Sequence, residues 1–454
     1  MLFGDIMKEN LTKQVLDKAA EDNVKFIQLQ FTDLHGMVKS VNIPVERLEE
    51  AFEKGIWFDG SSIEGFTRIC ESDMFLKPDP ETYAVLPWES TSKSTARLIC
   101  DVFTPDGKPF EGDPRYILKR ALAEAEELGF EFNVGPELEF FLFKPQEGGE
   151  IKPVTHDVAG YFDFSPRDLA AQVRKDIIFA LESMGLEVEM SHHEVAPGQH
   201  EIDFKYGPAL KTADNAITFK HVVKSIANKH DLYATFMPKP LFGVNGSGMH
   251  VHQSLFDIKT KKNAFFDADD KYKLSDIAKS FIAGQLSHIK AMSAITAPTV
   301  NSYKRLTPGY EAPVYICWAQ INRSALIRIP RYSPGRESAT RCELRCPDPS
   351  CNPYLAFAVM LKAGLEGIKK KMTPAEPVEE DVYEFDETKL TKLGIETLPA
   401  SLGEAMLALK QDKVVQEALG PHTYQTYMLA KKQEYDDYRI QVTKWELNKY
   451  FETT

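Results

Sequence analysis

Nothing in this chain of 454 residues offers the ~20 consecutive apolar residues that a membrane-spanning helix needs, and its opening MLFGDIMKENLTKQ has no basic stretch leading into an apolar core. A helical membrane protein is excluded, and a cytoplasmic location is the expectation. Cysteine is scarce: Cys70, Cys100, Cys317, Cys342, Cys346 and Cys351 are irregularly spaced and contain no C-x-x-C pair, which argues against a disulfide scaffold and structural zinc. Positive charge is also short. A net charge of −13 does not suit a chain that grips nucleic acid through its phosphates. No G-x-x-x-x-G-K-[ST] sequence occurs, so a nucleotide would have to be held without a P-loop.

What is present is an ordinary globular balance, 43% hydrophobic and 27% charged, in a chain long enough for two or three domains. Seven of its fifteen arginines (Arg305, Arg323, Arg328, Arg331, Arg336, Arg341, Arg345) fall between residues 305 and 345, and no lysine occurs from 305 through 361. A solvated surface run would mix the two cations. An all-arginine set suits fixed, bidentate binding of carboxylate and phosphate.

Leu11, Val15 and Ala19 recur at helical spacing, and Phe26, Leu29 and Phe31 open a strand-like stretch. The turn at 33–36 leads to a second strand ending at Ile43. Pro44 should then open a helix that stops near Gly55. The stretch TPDGKPFEGDPR at 104–115 predicts a domain linker, and Asp113 with Pro114 an N-cap and first turn for a helix ending at Gly129. From about 353 the chain reads as mostly helix, with a polar connection at 372–400.

Four elements between them concentrate the chemistry. Glu137 and Glu139 sit two apart in a β-prone run and therefore share one face. The stretch EVEMSHHEVAPGQHEIDFKY from Glu187 reads as a hairpin turning at Ala196 to Gln199, which sets Glu194 opposite Glu201, with Cβ atoms roughly 5 Å apart. Like charges so placed call for a cation between them. Asn245 to His252 begins as a glycine-bearing loop and ends in two same-face histidines, His250 and His252. In Arg341-Cys342-Glu343-Leu344-Arg345, alternation puts one anion between two cations on a single face. Each element alone reads more readily as structural. Together, five carboxylates and an imidazole offer mostly hard oxygen ligands, suited to magnesium or manganese, with arginines beside them for phosphate. This is a two-metal phosphoryl-transfer site whose acceptor the residues alone do not give.

The same residues resemble a known family. Phe58-Asp59-Gly60-Ser61-Ser62, Gly135-Pro136-Glu137-Leu138-Glu139, HHEVAPGQHE from His192, NGSGMHVHQS from Asn245, NSYKRLTPGYEAP from Asn301 and CELRCPDPSCNPYLA from Cys342 are similar, in order, to the signatures of type I glutamine synthetases. The resemblance covers roughly residues 20 to 450. It implies an α+β fold: a small β-grasp domain over 1–108 and, over 109–454, a large catalytic domain whose curved antiparallel sheet is flanked by helices. It also implies a homododecamer of two hexameric rings with sites between neighbours.

Carried over by motif, Glu139, Glu194 and Glu201 would hold one Mg2+ or Mn2+ ion, and Glu137, His250 and Glu343 a second that touches the phosphates of ATP. Glutamate would meet Asn245, Gly246, Arg305, Glu311 and Arg345. The nucleotide would meet Glu189, Tyr206, His252, Ser254 and Arg341, with Arg323 at the transferring phosphate. Asp59 from the adjacent subunit would deprotonate ammonium with help from Ser62, Tyr161 and Glu194, while Glu311 rides on a closing loop. The implied reaction joins ammonia to the γ-carboxylate of glutamate through γ-glutamyl phosphate. Nitrogen-regulatory proteins are the further partners to expect, with neither nucleic acid nor membrane required.

Within the family, the chain resembles the subtype of archaea and low-GC Gram-positive bacteria, in which an arginine matching Arg68 mediates feedback inhibition by glutamine. EDVYEFDETK around Tyr383 departs from the sequence around an adenylylated tyrosine. The lysine usual in the nucleotide loop before Arg341 is missing, and Gly335 and Arg336 stand there instead. Two rivals share the fold: a ligase for a larger amine, which Asp59 and Tyr161 oppose, and a non-catalytic scaffold, which should have lost metal ligands that are all present here.

Overall fold

A computed structural model describes residues 2–61, 63, 73–89, 94–145, 152–309 and 312–453, with residues 2–8 described by backbone alone. After a helix over Leu2–Glu21, six strands form the first sheet: β1 (Val24–Thr32), β2 (Val38–Pro44), β3 (Ile56–Asp59), β4 (Asp73–Pro78), β5 (Ala84–Val85) and β6 (Ser94–Phe103). Its order is β2-β1-β6-β4-β3, with β5 also on β6. The central β1–β6 pair is parallel and its neighbours are antiparallel, the β-grasp arrangement. Ile27, Leu29 and Phe31 of β1 face a core that includes Leu48, Leu76 and Leu98. The helix expected after Pro44 starts with a 3-10 turn and runs Leu48–Lys54. It stops at Gly55, whose φ of +75° other residues rarely adopt.

The stretch expected to be a linker is packed. Phe110 is buried in the first core and donates its N–H to the Val102 carbonyl at 2.9 Å. Asp113 caps the helix Pro114–Glu127 by accepting from Arg115 N at 3.0 Å, and its other oxygen accepts from Val102 N at 3.1 Å. Arg115 then bridges the two parts of the chain, reaching Asp79 and Asp101 at 2.7 Å each and Asp214 at 2.9 Å. Buried and multiply bonded, this guanidinium fixes how the first domain sits on the second.

The second sheet comprises β7 (Phe130–Phe143), β8 (Val188–His193), β9 (Gln199–Phe204), β10 (Gly207–Pro208), β11 (Tyr233–Thr235), β12 (Met249–Asp257), β13 (Tyr315–Ala319), β14 (Ala325–Arg328) and β15 (Cys342–Leu344). The order is β13-β14-β15-β12-β7-β9-β8, with β10 and β11 also on β7. It is antiparallel except for β13 and β14, a parallel pair at one edge. Long helices, among them Ala209–Lys229, Asp276–Thr296 and Pro353–Lys369, back it. Leu138, Phe140 and Leu142 of β7 enter the helix-backed core. The two-residue period therefore turns Glu137 and Glu139 to the other face.

Candidate active site

Strand β7 is the spine of the site. On one side β12 pairs with it so that His250 opposes Glu137, and β15 lies beyond, with Glu343 opposite His252. On the other side β9 sets Glu201 opposite Glu139. Three strands from distant parts of the sequence thus converge on two neighbouring glutamates.

The first group is Glu139, Glu194 and Glu201. Their crowding shifts their acidity: burial, then the charge of Glu194, pushes Glu139 up to about 8. Burial and then Glu139 raise Glu201 well above the usual carboxylate range. Asp203, buried and near Glu137, is pushed up to about 7. Carboxylates arranged so that they resist ionising are a site that a divalent cation would relieve, so the donors present fit the metal that the sequence implied. Ligand atoms of His192, Glu194 and Glu201 lie within 4.8 Å of one another. Glu139 is held in place by Gly248 N at 2.9 Å and Gln199 Nε2 at 2.8 Å.

The hairpin register differs from expectation. Glu194 was expected opposite Glu201, but His192 holds that position, and Glu194 donates its N–H to the Gln199 carbonyl at 2.8 Å. The four-residue loop is 195–198 rather than 196–199. A shift of two residues preserves the face, so Glu194 still converges on Glu201, diagonally.

The second group surrounds Glu343, which is fully buried. Arg345 Nη1 donates to its Oε1 at 2.7 Å and Arg328 Nε to its Oε2 at 2.5 Å. Burial opposes its charge, but His252, Arg345, His250 and Arg328 together hold its carboxyl below the ordinary range. Ligand atoms of Glu137, His252 and Glu343 lie within 4.8 Å of one another, yet His252 is occupied otherwise. Arg341 Nε donates to its Nδ1 at 3.1 Å, which leaves Nε2–H to donate to Glu137 Oε1 at 2.7 Å. No lone pair is left for a metal. His250 Nδ1, 3.4 Å from Glu137 and 3.8 Å from Glu343, faces both carboxylates and fits the ligand role better.

Beside this group opens a cavity of about 290 Å³, lined by Gly135, Glu137, Glu189, Asp203, Tyr206, His252, Ser254, Arg336 and Arg341, among others. All five residues expected at the nucleotide, apart from Arg323, line it. Arg336 also does so.

Arg305 is buried and donates to the carbonyls of Cys346 at 2.9 Å and of Arg345 and Pro347 at 3.2 Å, close to Gly246 and Gly248. No carboxylate pairs with it among the described residues. The Gly246 carbonyl accepts from Gln199 Nε2 at 3.1 Å, which links the loop bearing Asn245 to Glu139. Tyr161, half-exposed, has its ring 5.9 Å from that of His192, beside the first group.

Other expected residues are not drawn in. Arg323 is exposed in the β13–β14 connection, and no described bond ties it to the cluster. Asp59 ends β3, an edge strand of the first sheet, and its carboxylate accepts from Ser61 N at 2.8 Å. Ser62, Glu311 and Arg68 lie outside the described residues. Tyr383 donates its hydroxyl to the Ala312 carbonyl and packs on the core. Sequence reasoning missed His192, Gln199 and Asp203, and singled out Arg328 only as one of the arginine set. Each of these becomes legible only once strand register is known.

Comparison with known proteins identifies the family. Residues 23–105 match the glutamine synthetase β-grasp domain and 111–450 the glutamine synthetase catalytic domain. The chain is 57% identical to a glutamine synthetase of Methanosarcina mazei, over 98% of both chains. It is 54% identical to that of Clostridium saccharobutylicum, over 98% of this chain and 99% of that one. Two solved structures, "Apo GmaS without ligand" and "GmaS/ADP complex-Conformation 1", superpose with a TM-score of 0.86 at 33% identity, over 96% of this chain and 99% of theirs. The fold and the matched domains place this chain in one class, α+β proteins with a β-grasp domain ahead of a curled catalytic sheet. The chain belongs to the glutamine synthetase family, whose members use ATP and a divalent metal to make glutamine from glutamate and ammonium.

Proposed function

We propose that the two groups flanking β7 divide the family's reaction between them. The observation that carries this reading is the position of the nucleotide-sized cavity, which opens on Glu137, His252 and Arg341 and not on Glu194 and Glu201. Glu137, His250 and Glu343 would hold one cation on the side of the nucleotide cavity, and Glu139, Glu194 and Glu201 a second one. Magnesium or manganese, when bound there, would supply positive charge against the phosphates.

Arg341 and Arg336 meet the nucleotide, Arg305 and Arg345 the glutamate with Asn245 and Gly246, and Arg323 the transferring group once the site closes. An oxygen of the γ-carboxylate attacks the γ-phosphorus of ATP and ADP leaves, giving γ-glutamyl phosphate. Ammonium is bound by Asp59, Ser62, Tyr161 and Glu194, and Asp59 takes one of its protons. The freed nitrogen lone pair attacks the acyl carbon, the carbon–oxygen bond to phosphate breaks, the departing phosphate takes the second proton that the nitrogen must lose, and glutamine remains. Glu311 closes the site so that water does not take ammonia's place.

Asp59 reaches this centre from a neighbouring subunit in a ring assembly of twelve chains in the cytoplasm. Its place on an edge strand of the first sheet, with no described bond to the cluster, supports that reading. Arg68 mediates inhibition by glutamine, and Arg68→Ala should abolish that inhibition while sparing the uninhibited rate. The domain division falls at 108/109, next to the packed joint at Phe110.

The test is glutamate-dependent release of ADP with different acceptors. Ammonium and hydroxylamine should support it and polyamines should not. Faster release with a polyamine would assign the chain to the larger-amine ligases, and none with any acceptor to the scaffold relatives.

A further inference from the structure

The β8–β9 hairpin has a second face. Behind Glu194 and Glu201 lie His193 and His200, both completely buried. His193 Nδ1 bonds the carbonyl of Glu194 at 2.7 Å, and its Nε2 lies 3.2 Å from Asp157 Oδ1. The same oxygen accepts the N–H of Gly198, in the hairpin loop, at 2.9 Å. The other oxygen of Asp157 faces His156 Nε2 at 3.0 Å, and His156 Nδ1 lies 3.0 Å from the Leu142 carbonyl of β7. One buried carboxylate therefore ties the hairpin at both ends of its loop.

Ligand atoms of His156, Asp157 and His200 lie within 4.8 Å of one another, but this group does not suit a third cation. Arg174 donates to His200 Nδ1 at 2.9 Å, whereas a metal-bound imidazole uses its second nitrogen as a donor, and the guanidinium adds positive charge beside the would-be ion. The group is a brace.

We propose that Asp157 is a positioning residue for the Glu139/Glu194/Glu201 cation: by tying Gly198 and, through His193, the carbonyl of Glu194, it holds Glu194 and Glu201 at the spacing that the ion requires. This rests on the metal reading of those three carboxylates. Supporting groups of this kind typically change metal affinity about 10- to 100-fold when removed.

The experiment measures Mn2+ binding to the full-length, nucleotide-free protein by the paramagnetic resonance of free Mn2+, and ADP affinity at saturating Mg2+. Asp157→Ala should weaken by about 10- to 100-fold the Mn2+ site that Glu201→Gln also weakens, and change ADP affinity by less than about twofold. Asp157→Asn keeps an oxygen for Gly198 and should stay within about threefold of the parent. Should Asp157→Ala fail to fold, His193→Phe removes both bonds, fills the same space and carries the same expectation. Unchanged Mn2+ affinity in the folded variants overturns the proposal, as does an equal loss of Mn2+ and ADP affinity, which would mean general loosening. Glu201→Gln is run alongside: if it leaves Mn2+ binding intact, the metal reading fails and this proposal with it. If only Glu201→Gln weakens binding, this proposal alone fails.

Discussion

Gly248 and Arg305 are packed against each other with no room to spare. A methyl group on residue 248 would lie 2.4 Å from Arg305 Nη2, and one on residue 246 would lie 2.2 Å from the Pro238 carbonyl. At 246 the clash would be with backbone, and at 248 with a buried guanidinium that is already hydrogen-bonded, so a side chain at either position forces a shift. Gly248→Ala should displace the guanidinium and raise KM for glutamate by about tenfold or more, the scale of one charge-assisted hydrogen bond. The affinity for ADP should stay as it was. A glutamate KM within twofold of the parent would remove Arg305 from the glutamate site. At this scale much was legible in the sequence. Glu137, Glu139, His250 and Glu343 announce themselves because alternation along a strand fixes which side chains share a face. Gln199 and His192 do not, since their roles come from what lies opposite them.

Strands reveal their faces in sequence but not their partners. The hairpin of Glu194 and Glu201 was legible, its register was off by two residues, and the period of two kept the chemistry intact. The parallel pairing of β13 with β14 at the sheet edge carried no such signal, and the linker at 104–115 was packed because Phe110 found a core. Pairing β7 with β9 also has an electrostatic consequence. Glu139, pushed up to about 8 by burial and Glu194, and Asp203, pushed up to about 7 by burial and Glu137, keep protons in the metal-free folded chain. The unfolded chain has released them by then, its carboxylates titrating near about 4. Where the folded state binds more protons, stability falls as pH rises, here from about 5 to 8. Glu137 and Glu343, held below the ordinary range, act in the opposite sense only at lower pH. Calorimetry of the metal-free protein should therefore show a lower melting temperature at about pH 8 than at about pH 6, and Mn2+ should raise it more at the higher pH. Equal stabilisation by Mn2+ at both would contradict the crowding of these carboxylates.

Across the whole molecule, the division of labour follows the two domains. The catalytic sheet carries both carboxylate groups and lines the cavity beside them, so on the proposed reading phosphoryl transfer draws on that sheet and not on the first domain. Asp59 belongs to that first domain, and its depressed carboxyl pKa, due to Ser61, leaves it ionised and able to attract a cation. Only the second step should therefore depend on it. The direct measurement is rapid quenching of Asp59→Ala with ATP and glutamate, first without and then with ammonium, scoring acyl phosphate as the pyrrolidone carboxylate that acid releases from it. The variant should still form acyl phosphate in the first experiment. In the second, glutamine should appear about 10²- to 10⁴-fold more slowly and need far more ammonium, the cost of a lost general base. Acyl phosphate abolished in the first experiment, with the ammonium dependence unchanged in the second, would contradict the two-step site described here.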